Sequence, residues 1–160
     1  GGAITACSEP GQGSTFKVYL PIIETSKEAH IGPEESIPIG SERILFVDDE
    51  SVLVNMGKQI FESLGYDVTT RTSSIEALEL FKNQPDRFDL VITDMTMPNM
   101  TGEDLAQELI RIKPNIPIIL CTGFSAKIDD QKASAVGIRA LVLKPIVKRE
   151  IATTVRKVLD

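Results

Sequence analysis

A chain of 160 residues with 42% hydrophobic content has material for one ordinary domain plus an appendage. The net charge of −6 divides evenly, −3 over residues 1–40 and −3 over 41–160, with no basic stripe in either, which disfavours nucleic-acid binding. No run approaches the roughly 18 apolar residues of a membrane span and no signal-peptide pattern opens the chain, so a cytoplasmic piece without direct membrane contact is expected, with any membrane attachment elsewhere in the parent protein.

In chain order, Ile4–Cys7 and Thr15–Leu20 read as two strands around a glycine-rich turn, Ser8 to Gly13. Phe16, Val18 and Leu20 alternate onto one face, and an isolated hairpin is marginal in water, so this face is expected to dock on a neighbouring surface. Residues 24–40 are rich in Glu, Pro, Gly and Ser without periodicity, the composition of a linker, and His30 reads as a solvated histidine there. Cys7 and Cys121 belong to no Cys/His cluster and read as reduced thiols.

From residue 41 strand and helix alternate. Strands are expected at Arg43–Val47, Tyr66–Thr70, Leu90–Thr93, Pro117–Cys121 and Ala140–Leu143. Helices are expected at Ser51–Leu64, stopped by Gly65, after Ser73 with Glu76 as a capping box, from Thr101 or Gly102 to Pro114, over Ser125–Val136, and over Lys148–Leu159. Five βα units imply a doubly wound α/β fold, a five-stranded parallel sheet in the flavodoxin-like order 2-1-3-4-5, preceded by the β-hairpin.

That order sets the ends of the first and third strands side by side, so Asp48, Asp49 and Asp94 converge. Three neighbouring carboxylates repel unless a cation shares them, and a hard ion that keeps several waters, Mg²⁺, suits them best. The backbone carbonyl of Thr96 is the candidate for a further ligand. Thr122-Gly123 brings a hydroxyl to the same crevice and Lys144-Pro145 an ammonium. A carboxylate nucleophile with a cation, a lysine and a hydroxyl is a phosphoryl-handling set. Taken singly, each has a plainer reading: Asp48 and Asp49 as helix caps, Asp94 as a loop carboxylate, Thr122 as a strand residue, Lys144 as a solvated lysine.

Asp48-Asp49, Asp94 with Met97-Pro98 and Gly102, Thr122-Gly123 and Lys144-Pro145 together resemble the response-regulator receiver domain over residues 43–159. The resemblance implies that Asp94 is the phosphoacceptor, that Asp48 and Asp49 bind Mg²⁺, that Thr122 is the switch hydroxyl and that Lys144 is the phosphoryl counter-ion. It departs from the pattern at Leu141, where that family usually carries an aromatic residue that moves with the threonine; Met95, Phe124 and Leu141 form an apolar neighbourhood instead. Phe124, two residues beyond Thr122, is expected to shield an aspartyl phosphate from water.

Residues 1–23, with Gly11-Gln12-Gly13-Ser14-Thr15-Phe16, resemble the last two strands of a sensor histidine kinase ATP-binding domain, without the rest of its nucleotide site, so no kinase activity is expected of this chain. The resulting organisation is a kinase remnant (1–23), a linker (24–40) and a receiver domain (41–160) of a hybrid sensor histidine kinase. Its expected partners are a histidine kinase or histidine phosphotransfer domain, and a homodimer is compatible with the sequence. A non-catalytic docking or dimerisation module is the alternative. A flavodoxin-like enzyme ranks last, because Asp48-Asp49 stands where a phosphate loop would be needed.

Overall fold

The computed structural model describes residues 2–21, 36–123 and 137–160. The helix expected over Ser125–Val136, Phe124 and His30 lie outside the described residues. The chain forms two compact units, Gly1–Glu35 and Ser36–Asp160.

In the first unit, β1 (Ala3–Glu9) pairs antiparallel with β2 (Gly13–Tyr19) in a register that sets Ile4 opposite Val18 and Ala6 opposite Phe16. The turn closes with Gln12 N–H donating to Glu9 O at 3.0 Å. Gly11 and Gly13 have φ of +78° and +94°, a region costly for residues with a Cβ. Phe16, Val18 and Leu20 are 70%, 61% and 80% exposed. Within this unit the two-stranded ribbon supplies no second layer of its own to cover that face.

In the second unit the strands are β3 (Arg43–Val47), β4 (Asp67–Arg71), β5 (Leu90–Asp94), β6 (Ile118–Thr122) and β7 (Ala140–Leu143). They make one parallel sheet in the order β4-β3-β5-β6-β7, the expected 2-1-3-4-5. The described helices are α1 (Ser51–Glu62), α2 (Ser74–Asn83), α3 (Gly102–Ile112) and α4 (Lys148–Leu159). Successive strand residues point to opposite faces, and both faces are covered. Leu45, Val47, Val91 and Leu120 pack with Ala77, Phe81, Leu105 and Leu109 from α2 and α3. Ile44, Phe46, Ile92 and Cys121 pack with Phe61, Ile151 and Val155 from α1 and α4. The rings of Phe46 and Phe61 meet edge to face at 5.5 Å.

Helix starts follow local chemistry. Ser73 Oγ accepts from Glu76 N–H at 3.4 Å, so the serine half of the expected capping box forms. A complete box forms instead at α3, between Thr101 and Asp104.

At the amino edge of the sheet, Arg43 grips Asp89 through Nε at 2.9 Å and Nη2 at 2.8 Å, and its backbone N–H donates to the same carboxylate. The guanidinium hydrogen bonds pull the Asp89 carboxyl from an ordinary 3.8 to about 2, against the upward push of desolvation. Because the folded value is the lower one, the stabilisation is complete above about pH 4 and is lost as pH falls toward 2. Asp89→Asn is therefore expected to cost about 1 kcal/mol in urea denaturation at pH 7, modest because the pair is partly solvated, and less at pH 2.5. An equal cost at both pH values would contradict it.

Candidate functional site

The parallel sheet delivers its strand ends to one edge. β3 hands over to Asp48, β5 ends on Asp94, β6 on Thr122, and Lys144 follows β7. Asp94 sits opposite Cys121 in the β5–β6 register and Thr122 opposite Leu143 in the β6–β7 register, so the residues become neighbours through strand pairing alone.

Lys144 joins the two buried carboxylates. Its Nζ lies 2.7 Å from Asp48 Oδ2 and 2.5 Å from Asp94 Oδ1. Asp48 is 1% exposed and Asp94 5%. Burial by itself would lower the Lys144 ammonium, but hydrogen bonds to both carboxylates outweigh it and hold the group above its ordinary value. The remaining carboxylate oxygens take backbone donors, Glu50 N–H to Asp48 Oδ1 at 3.0 Å and Thr96 N–H to Asp94 Oδ2 at 2.8 Å. These two amides were not singled out by the sequence; an aspartate followed by a turn, whose side chain caps the amide two residues on, is the signal that could have found them.

Asp49 is exposed at the same edge. Lys144 stands between Asp48 and Asp94, and among the described residues no group of three acidic, histidine or cysteine side chains is set as a ready metal cluster. The donor set is still the right one for a hard divalent ion: two buried carboxylates, a third at the mouth, all oxygen, and a crevice that already holds a cationic group. The buried Thr122 hydroxyl donates to Gly123 O at 3.2 Å. Leu141 is partly buried against the cluster that contains Met97, Leu105 and Leu120.

Gly102 has a sharper role than loop closure. A Cβ on it would lie 2.1 Å from Asp94 O and 3.0 Å from Leu120 Cδ2, and its N–H donates to Met95 O at 2.9 Å. The first turn of α3 thus rests on the backbone of Asp94 itself. Gly102→Ala is expected to cost roughly 1–3 kcal/mol in denaturant unfolding, since backbone must shift to admit the methyl group. A variant as stable as wild type would exclude that contact.

Cys121, beside Asp94, is buried and free, with its thiol pushed up to about 12 by desolvation, so it packs as an unreactive side chain. The Lys144-Pro145 peptide is cis.

Comparison with known proteins fits this arrangement. Residues 44–156 match the response regulator receiver domain family. The chain belongs to that family. It is 32% identical to sensor kinase CckA of Brucella abortus and 29% identical to the aerobic respiration control sensor protein ArcB of Escherichia coli; the alignments cover all of this chain and 18% and 21% of those proteins. It therefore spans about a fifth of the length of these two relatives. Among solved structures, a receiver domain from Clostridium thermocellum superposes with a TM-score of 0.70 at 30% identity, covering 74% of this chain and 94% of that one. Chemotaxis protein CheY4 of Vibrio cholerae superposes at 0.68 and 29%, covering 75% and 100%.

The fold and family read from the sequence are thus borne out: a receiver domain homologous to those of hybrid sensor kinases and response regulators, consistent with phosphorelay signalling. Receiver domains typically use Mg²⁺ for phosphorylation, and those of hybrid kinases interact with histidine kinase or phosphotransfer partners. Among the described residues no helix is long and apolar enough to cross a membrane.

Proposed function

We propose that Asp94 accepts a phosphoryl group from a phosphohistidine, as the receiver of a hybrid sensor histidine kinase in which residues 1–23 close the ATP-binding domain and 24–40 connect it to the receiver. The observation that carries this reading is the bridge of Lys144 between the buried carboxylates of Asp48 and Asp94. A charged cluster of this kind is costly to bury, and phosphoryl transfer gives it a use.

In the step itself, a carboxylate oxygen of Asp94 attacks phosphorus, the P–O bond forms as the P–N bond to the donor imidazole breaks, and the nitrogen keeps the bonding pair. Thr96 N–H holds one Asp94 oxygen, which fixes the orientation of the carboxylate. Lys144 is already placed to neutralise the incoming phosphoryl oxygens. Asp48, Asp49, Asp94 and the Thr96 carbonyl are the proposed holders of Mg²⁺, which supplies positive charge against those oxygens when bound.

Thr122 turns from Gly123 O toward the phosphoryl group after transfer. With Leu141 packed against the core in place of an aromatic residue, this reorientation is coupled to the loops rather than to a swinging ring. The product is consumed either by transfer to another phosphotransfer protein or by attack of water.

The test is direct. Acetyl phosphate with Mg²⁺ should add about 80 Da, one HPO₃ unit, to the intact protein. No adduct under conditions where Mg²⁺ binding is demonstrated would refute the reading.

A further inference from the structure

The compact unit that holds the receiver starts at Ser36, seven residues ahead of β3 and inside the stretch whose composition reads as linker. Ile37 packs against the core cluster that contains Phe61, Leu64, Ile151 and Val155. Gly40 N–H donates to Leu64 O at 3.0 Å, and Asp67 N–H donates to Glu42 O at 3.1 Å. These contacts attach the segment to the end of α1 and the start of β4.

Two missing side chains make the approach possible. Gly65, at φ +95°, leaves its Cβ position to the carbonyl of Gly40, 2.4 Å away. A Cβ on Gly40 would lie 2.2 Å from Tyr66 Cε1, 2.4 Å from Glu42 Oε2 and 2.6 Å from Arg156 Nη1. Just beyond, Glu42 receives the fork of Arg156, Nη1 at 2.9 Å and Nη2 at 2.7 Å, while Arg156 also reaches Asp160 at 2.9 Å. Both partners of the fork are mostly covered, with side-chain exposures of 29% for Glu42 and 19% for Arg156. The Arg156 hydrogen bonds hold the Glu42 carboxyl below its ordinary value despite desolvation. A bidentate, part-buried pair of this kind is among the stronger ionic contacts available to a protein.

We propose that residues 36–42 form a strap that fastens the last turns of α4 to the end of α1 through Gly40, Glu42 and Arg156. The strap is remote from the acidic crevice. The five residues of β3, about 16 Å of extended chain, separate Glu42 from Asp48. None of the strap's contacts involves Asp94, Thr122 or Lys144. Releasing it changes α4 without touching the phosphoacceptor, so the inference stands or falls independently of the phosphoryl chemistry.

Tyr66 is a built-in reporter. The chain has two tyrosines and no tryptophan; Tyr66 is buried under the strap, whereas Tyr19 in the hairpin is exposed. The experiment uses the full chain carrying Tyr19→Phe, alone and with Gly40→Ala or Glu42→Gln, reading acrylamide quenching of tyrosine fluorescence and amide hydrogen exchange. The expected result is weak quenching in the parent, clearly stronger quenching in both variants, and exchange of Val155–Leu159 faster by about tenfold with β5 and β6 unchanged. Unchanged quenching and exchange in Glu42→Gln would overturn the strap. Uniform acceleration across all strands would also overturn it, showing that residues 36–42 unfold only with the whole domain. Should Gly40→Ala fail to fold, Glu42→Gln decides alone, since it removes charge while keeping shape.

Discussion

Asp94→Asn is expected to abolish the adduct of about 80 Da that acetyl phosphate and Mg²⁺ produce on the wild-type chain. The amide is close in shape to the carboxylate but is a poor nucleophile, because its nitrogen lone pair is delocalised and its oxygen carries no full charge. The substitution is not silent for the apo protein. Asp94 receives Thr96 N–H on Oδ2 and the Lys144 ammonium on Oδ1, both donors. Whichever way the asparagine turns, its NH₂ faces a donor, so a loss of about 1–3 kcal/mol is expected alongside the lost reactivity. Intact-protein mass spectrometry and urea denaturation read the two effects separately. An adduct that persists in Asp94→Asn would move the phosphoacceptor to another residue.

Lys144→Met is the second large change. It leaves the carboxylates of Asp48 and Asp94, with side-chain exposures of 1% and 8%, without their shared counter-charge. Stripping one partner from a buried ionic cluster costs several kcal/mol; with Lys144 itself 20% exposed, about 2–4 kcal/mol at neutral pH without divalent ions is expected. Added Mg²⁺ is expected to raise the melting temperature of Lys144→Met more than that of wild type, because no resident ammonium competes for the carboxylates and binding to the folded state alone is stabilising. Phosphoryl acceptance should slow by about a hundredfold, the scale of removing one preorganised charge-stabilising group. Thermal melts across a Mg²⁺ titration and single-turnover phosphorylation check this. Wild-type stability in chelator together with a wild-type rate would show that Lys144 is not the electrostatic centre of the crevice.

Both predictions rest on residues that could be picked out in the sequence, for a specific reason. In a parallel sheet covered on both faces, strands are nearly unbroken apolar runs, so a charged residue closing such a run marks the sheet's carboxyl edge. Asp48 after Ile44–Val47, Asp94 after Leu90–Thr93 and Lys144 after Ala140–Leu143 are placed by that pattern. Periodicity found the final helix over the same span that the structure gives it, Lys148–Leu159, because Ile151, Val155 and Val158 repeat at helical spacing, the first two buried and the third packed against the core. Shifts of a residue in β4 and β6 come from strand ends, where pairing with the neighbour, and not side-chain type, sets the last bridge.

The sequence by itself determined the five strands, the described helices and the chemical character of the crevice, since these follow from local pattern and from residue type. Only the tertiary structure decided who touches whom. Asp48 and Asp94 are buried on Lys144 while Asp49 is exposed at the mouth of the crevice, a difference in burial that follows from how the loop after β3 is laid against the neighbouring strand ends. Gly102 supports Asp94 through a missing Cβ, a relation between residues eight apart that no spacing rule encodes. Residues 36–42, of which 36–40 read as linker by composition, are held by Arg156 at the far end of the chain, a partner that becomes adjacent only when the sheet is assembled. The hairpin's apolar face is legible as a face, but what covers such a face is a property of a second layer, and β1 and β2 together make only one.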